Sequence, residues 1–276
     1  MICDLHIHSN YSDGTLTPAE LIVLAEKQNI SAVALCDHNT VNGLPDFIKA
    51  AENSKVIAVN GIEISTEYNA TELHILGLFL PEDRFEDLSD MMSRIKIFKE
   101  ESNAKLVNNL RADGYLIDYK EIKDKNGGAY INRAHIAAEL IGKGYFTDRN
   151  EVFGTVLSLD GGYYTPPERF KALEIIRYLD SIGAVPVWAH PFLDMTAEEI
   201  DVFLPIAKAH GLVGMETRYS LYGEETQKAA EMLAEKHGIK QSGGSDFHGS
   251  NKPDISLGTG NGNLEVPFEF YENLKK

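Results

Sequence analysis

Met1–Gly14 reads MICDLHIHSNYSDG. Taken as a strand, residues 2–8 alternate, with Cys3, Leu5 and Ile7 on one side and Asp4, His6 and His8 on the other. Two imidazoles on one strand face lie about 7 Å apart along the chain, close enough to converge on one metal ion. The alternative for this fragment is a pair of unrelated surface histidines, and the rest of the chain has to decide between them.

Working outward, TLTPAELIVLAEKQN predicts a helix in which Thr17 caps, Pro18 takes the first turn and Glu20 completes a capping box. SAVALCDHN then reads as an apolar strand ending in Asp37-His38, with a second helix from about Thr40. KVIAVNGIEIS and ELHILGLFL read as further strands. This alternation predicts parallel strands with helices outside, in an α/β class. From residue 85 to 166 helical stretches dominate, punctuated by Gly127-Gly128 and Gly161-Gly162, and are read as a helical insertion capping the substrate. Residues 1–84 and 167–276 are read as one barrel. In its second half a helix PERFKALEIIRYLDSIG precedes strand AVPVWAHP, and strands LVGMET and IKQSGGSDFHG follow with helices between.

The chain carries 42 acidic against 26 basic residues, a net charge of −16. That balance argues against a long nucleic-acid groove, because neutralising an extended duplex needs a basic surface. It permits a small phosphorylated ligand if carboxylates hold cations. No segment has membrane-spanning length, and Cys3 and Cys36 lack CxxC spacing and sit in apolar strands. A cytoplasmic protein with reduced core thiols is expected, and nothing points to an obligate protein partner.

The polar residues fall at strand ends. Asp37 and His38 end the second strand, Glu63 the third, and His190 the strand AVPVWAH, while His74 lies in the fourth and Asp246 and His248 follow the last. Strand ends and their loops gather at one face of a parallel barrel. Isolated buried charges are costly unless paired or metal-bound, so a metal cluster accounts for all of them together. Nitrogen and oxygen donors without thiolate suit Zn, Mn or Fe. His6, His8, Asp13, His38, Glu63, His74, His190, Asp246 and His248 are too many for one ion, which implies two or three. Clustered divalent ions activate water and stabilise an in-line displacement at phosphorus, so a phosphate ester is the favoured substrate. Glu216, near the end of LVGMET, is expected to face the same mouth, while Arg218, Tyr219 and Ser220 are read either as substrate contacts or, in preference, as surface loop residues.

DLHIHSNYSDG, CDHNT, NGIEIS, LHILG, AHP and GGSDFHG, in this order, resemble the PHP (polymerase and histidinol phosphatase) family of metal-dependent phosphoesterases. The resemblance spans nearly all of the chain outside the insertion. It implies a distorted (β/α)7 barrel with a trinuclear centre. One ion would take His6, His8, Glu63 and Asp246; a second would share Glu63 with His74 and His190; a third would use Asp13, His38 and His248. Asp37 would orient an imidazole.

The insertion resembles the small-nucleotide branch of the family, whose substrates are nucleoside monophosphates, 3′,5′-bisphosphonucleotides or 5′ ends of short RNA. Members often carry Arg-Pro-His at an insertion helix, and INRAHIAAEL stands here with Ala134 in place of proline. The resemblance then implies that Asn132, Arg133 and His135 bind substrate, with His135 a possible proton donor, at a helix N-terminus suited to anions. Cys36 stands where the family usually has Thr, and Ala189 where Gly precedes His-Pro. The implied reaction is attack on a phosphomonoester by metal-activated hydroxide, with Glu63, Asp246 and His248 in the catalytic set. Alternatives are a histidinol-phosphate phosphatase, a non-catalytic metal-binding module, and an amidohydrolase-like barrel acting on C–N bonds.

Overall fold

In the computed structural model, which describes residues 1–126 and 131–275, the opening stretch forms β1 (Ile2–Ile7). There follow α1 (Pro18–Lys27), β2 (Ile30–Leu35), α2 (Leu44–Ala51), β3 (Ile57–Tyr68) and β4 (Thr71–Leu78). Helices α3 (Phe85–Ala112), α4 (Tyr119–Lys125), α5 (Arg133–Gly142) and α6 (Arg149–Gly154) come next. The chain continues through β5 (Phe170–Lys171), α7 (Ala172–Ser181), β6 (Val185–Trp188) and α8 (Ala197–Ala209). It closes with β7 (Gly214–Tyr219), α9 (Glu224–His237), β8 (Lys240–Gly244) and α10 (Phe268–Leu274). Two compact units result, Met1–Ser89 with Phe170–Lys276, and Asp90–Arg169. Gly127 and Gly128, read as punctuation, lie outside the described residues.

In the first unit the strands run in the order β1-β2-β3-β4-β6-β7-β8, with β5 beside β3. The Asp246 N–H donates to the His6 carbonyl at 2.8 Å, and the His8 N–H donates to the Phe247 carbonyl at 3.0 Å. These two bonds just beyond β8 draw the sheet's ends together into a nearly closed, distorted seven-stranded barrel. Cys3, Leu5, Ala34, Cys36, Leu76 and Val187 contribute to its core, packed against Tyr271 and Leu274 of α10.

β4 departs from the parallel alternation. It is antiparallel to both β3 and β6, because only Asn69 and Ala70 link it to β3. Both linkers have positive φ, the geometry of a two-residue hairpin turn, whereas a parallel return needs a long crossover. His74 therefore lies near the start of β4 opposite Ser65, beside the end of β3.

The alternation expected for β1 is also broken. Asp4 aligns with Val33 and Ile7 with Leu35, so three steps on β1 match two on β2. Asp4 thus shares a face with Ile7 and not with His6 and His8. The bulge lets the histidines turn inward although Cys3 and Leu5 already face the core. A second irregularity falls between Glu216 and Arg218 of β7.

The Thr17–Glu20 capping box starts α1 as expected. α2 begins later than Thr40, after Gly43. The backbone at His38 instead bridges Glu63, and Asn39, in the left-handed region at φ 52°, ties itself to Ser65. α7 likewise starts at Ala172 because Phe170 and Lys171 pair with Thr66 and Glu67.

The second unit packs Leu106, Val107 and Leu110 of α3 against Ile122, Ile136, Leu140 and Val152. Asn103 and Asn109 side chains donate to the Ile131 and Tyr163 carbonyls, satisfying backbone acceptors that no helix serves. Among the described residues, no helix is long and apolar enough to cross a membrane.

Candidate metal centre

Glu63, fully buried near the middle of β3, is the hub of the site. His74 Nδ1 and His190 Nε2 face its Oε1 at 2.8 and 3.1 Å. His38 Nδ1, His6 Nε2 and His8 Nε2 face its Oε2 at 2.9, 3.3 and 3.4 Å. Five imidazoles drawn from β1, the end of β2, β4 and the end of β6 thus divide between the two oxygens of one carboxylate. His190 and Asp246 both have positive φ, 32° and 56°, backbone that non-glycine residues adopt seldom and that recurs at functional sites.

A second cluster lies beside the first. Asp13 Oδ1 is 3.2 Å from His248 Nε2 and 3.9 Å from His8 Nδ1, and its Oδ2 is 3.8 Å from His38 Nε2. Asp246 Oδ1 stands 3.1 Å from His8 Nε2 and 3.7 Å from His6 Nε2. Among the described residues, three groups bring ligand atoms within 4.8 Å of one another, namely His8, Asp13, His38 and His248; His6, His8 and Glu63; and His38, Glu63 and His74. His38, expected with Asp13 and His248, also reaches Glu63.

Neighbouring groups fix the imidazoles. His6 Nδ1 donates to Glu216 Oε1 at 2.9 Å, which leaves the Nε2 lone pair to face Glu63. His248 Nδ1 donates to the Asp246 carbonyl at 2.8 Å, turning Nε2 toward Asp13. Such partners set tautomer and ring orientation in metal sites. Glu216 Oε2 also accepts the His190 N–H at 2.6 Å, so one buried carboxylate positions two strand ends. Its sequence signal was a charge in the otherwise apolar LVGMET.

The donor set fits divalent cations. Among the described residues, His6 Nε2, both His8 ring nitrogens, Glu63 Oε2 and His190 Nδ1 are buried with no hydrogen-bond partner, a costly state in a folded protein. Burial, then the neighbouring His38, pushes His8 down to about 3, keeping it neutral. Burial would raise the Glu63 carboxyl, but His38, His6 and His74 outweigh it and hold it well below the usual range. Burial would lower His74, yet Glu63 prevails and raises it to about 10. Ionised carboxylates facing imidazole nitrogens across unfilled hydrogen-bonding positions are what a cation needs.

Several expectations require correction. Asp37 does not orient an imidazole; its carboxylate accepts from the Ser9 N–H at 2.8 Å, the Ser9 hydroxyl at 2.6 Å and the Ser12 hydroxyl at 2.6 Å. It anchors the loop that carries Asp13. Tyr219 and Ser220 are buried, not surface residues. The Tyr219 hydroxyl and Lys252 Nζ both donate to Asp246 Oδ2, at 2.8 and 2.6 Å, and Lys252 had no marker in the sequence. Gly244 makes room, since a Cβ there would fall 2.4 Å from His6 Cβ. In the second unit, Asn132 caps α5 and its N–H donates to His135 Nδ1 at 3.1 Å. Arg133 donates to the Leu157 carbonyl and lies 4.3 Å from the Tyr164 ring centre.

A family profile described as PHP domain matches residues 4–157, more than half of the chain. The chain belongs to the PHP family. This PHP protein is 28% identical over 246 residues to a 5′-3′ exoribonuclease of Haemophilus influenzae, covering 89% of each chain. It is 28% identical over 258 residues to a 3′,5′-nucleoside bisphosphate phosphatase of Chromobacterium violaceum, covering 92% of this chain and 90% of that one. A solved structure from Bifidobacterium adolescentis, described as a candidate metal-dependent phosphoesterase, superposes with a TM-score of 0.77 at 26% identity, covering 98% of this chain and 94% of the other. The PHP protein is a metal-dependent phosphoesterase, a hydrolase of phosphoric esters.

Proposed function

We propose that this chain hydrolyses the phosphomonoester of a small nucleotide: a nucleoside monophosphate, a 3′,5′-bisphosphonucleotide or the 5′ end of a short RNA. Two or three ions of Mn, Fe or Zn would be held by His6, His8, Asp13, His38, Glu63, His74, His190, Asp246 and His248. The observation that carries the reading is the division of five imidazoles between the two oxygens of the buried Glu63, which would let that carboxylate and its imidazoles hold cations together. When bound, such ions supply a water nucleophile near neutral pH and charge to balance a phosphoryl group.

The protein's own part is to hold the geometry. Glu216 keeps the His6 Nε2 lone pair aimed at the cluster. Tyr219 and Lys252 hold one Asp246 oxygen, leaving the other to the imidazoles. Asp37 secures the loop of Asp13. On a chain of net charge −16, a phosphate ester needs this local concentration of cations in order to bind.

The nucleotide substrate class is supported by the two relatives, an exoribonuclease and a nucleoside bisphosphate phosphatase. Substrate contact by Asn132, Arg133 and His135 rests on the likeness to an Arg-Pro-His helix start. Arg133→Ala is expected to raise KM more than it lowers kcat. The free, buried Cys3 and Cys36 accord with a cytoplasmic setting.

The test is phosphate release by Mn-loaded protein from AMP, a 3′,5′-bisphosphonucleotide, a 5′-phosphorylated short RNA and histidinol phosphate. Turnover of a nucleotide well above histidinol phosphate is expected. Preference for histidinol phosphate, or no release from any of the four, would overturn the proposal.

A further inference from the structure

Within the barrel unit and directly beside Asp246 lies a cavity of about 270 Å³. It is bounded by the end of β7, the end of β8 and the loop through Ile255. That volume falls just short of the roughly 300–1,000 Å³ that encloses a whole drug-sized ligand, so it suits one end of a larger molecule.

Its lining is chemically mixed. It includes the buried Asp246, with the half-buried Lys252 donating to Asp246 Oδ2 at 2.6 Å. An ammonium has three donors, and the bond to Asp246 uses one. The buried Ile255 and the exposed Leu221 and Pro253 supply apolar lining, and the exposed Asp254 supplies a carboxylate. The nearby Ser220 hydroxyl is already committed to the Ser245 carbonyl at 2.6 Å. A cation beside the metal centre, apolar lining and a carboxylate acceptor are the three kinds of group that a phosphoryl group, a base and sugar hydroxyls need.

We infer that this cavity receives the nucleoside end of the nucleotide, with Lys252 contacting a phosphoryl oxygen beside the metal centre and Leu221, Pro253 and Ile255 lying against the base. Asp254 accepts from a sugar hydroxyl. The assignment rests on the nucleotide reading above and deepens it.

Calorimetric titration with inorganic phosphate and with adenosine, on Mn-loaded wild type, Lys252→Met, Lys252→Arg and Leu221→Trp, tests it without turnover. Elemental analysis of each variant accompanies the titrations. Lys252→Met, brought to wild-type metal content with excess Mn, should bind phosphate about tenfold or more weakly, the scale of a lost charge-assisted hydrogen bond. Lys252→Arg should recover part of that loss. Leu221→Trp, at an exposed position, should lose adenosine binding and keep phosphate binding. Unchanged adenosine affinity in Leu221→Trp overturns the inference. So does wild-type phosphate affinity in Lys252→Met once it is saturated with Mn, which would show Lys252 acting only through Asp246. If wild type binds both probes in this pattern but turns over no nucleotide, the proposed function fails while the subsite stands.

Discussion

Glu216→Gln isolates the role of a carboxylate that holds two of the candidate ligand residues, His6 and His190, without belonging to the ligand set itself. Glu216 is fully buried, and it accepts from His6 Nδ1 at 2.9 Å and from the His190 N–H at 2.6 Å. Glutamine keeps the shape but has one acceptor oxygen and one donor NH2. If the oxygen stays on the His190 N–H, the NH2 faces His6 Nδ1, which must become an acceptor. The His6 proton then moves to Nε2, the atom facing Glu63. Turning the amide over instead sets its NH2 against the His190 N–H.

The first arrangement withdraws the His6 lone pair from the cluster, and the second strands the buried His190 N–H and disturbs the strand end that aims the His190 imidazole. Losing such a supporting partner typically costs about 10–100-fold in metal affinity, equivalent to about 1.4–2.7 kcal/mol. Glu216→Ala should behave differently. It strands two buried donors at about 1–3 kcal/mol each, a loss of about 2–6 kcal/mol of stability. The assay is competition for Mn against a chelator of known affinity, with circular dichroism to establish that the glutamine variant is folded. A folded Glu216→Gln protein with wild-type Mn affinity would refute the tautomer argument.

Mn should raise the melting temperature of metal-stripped wild type, since an ion at about 100 times its Kd adds about 2.7 kcal/mol; Glu63→Gln should abolish that increment, and a persistent increment would remove Glu63 from the centre. Burial, then Asp4, pushes the Cys3 thiol up to about 12, and burial raises Cys36 too. Neither should react with a disulfide reagent at pH 8 in folded protein, and both should in denaturant; a fast native reaction at either contradicts the core assignment. Asp201 is held below the usual carboxylate range by hydrogen bonds from Lys236 and His237. A depressed folded pKa stabilises above the unfolded value and loses that contribution as pH falls through the folded one. Asp201→Asn should therefore melt below wild type at pH 7, with the gap closing below about pH 4; a gap unchanged at pH 3 would contradict the assignment.

Much of the centre could be read from residue types because the physics is local. A glutamate inside NGIEIS and a histidine inside ELHILG are costly in an apolar strand unless something pays for them, and both meet at Glu63 Oε1. What could not be read depended on backbone path. Strict alternation placed Asp4 with His6 and His8, and only the mismatch with β2 reveals the bulge. The reversal of β4 turned on Asn69-Ala70, a pair without the glycine that usually marks such a hairpin. Asp37 looked like a histidine's partner because it precedes one, but its carboxylate points back to a loop 25–28 residues earlier. Lys252 stands among ordinary loop residues, and nothing in the string says that it folds onto Asp246.

The seam between the edge strands has a consequence in time. Asp4 and Ser245, joined by hydrogen bonds, are 241 residues apart. At ribosomal speeds of about 5–20 residues per second, β1 emerges about 12–48 s before its last neighbour exists. During that interval the histidine pair of β1 has neither Asp246 nor His248 beside it, so any cation it picks up is held by a fragment of the cage. The full donor set exists only once the last strand and the loop after it have been made.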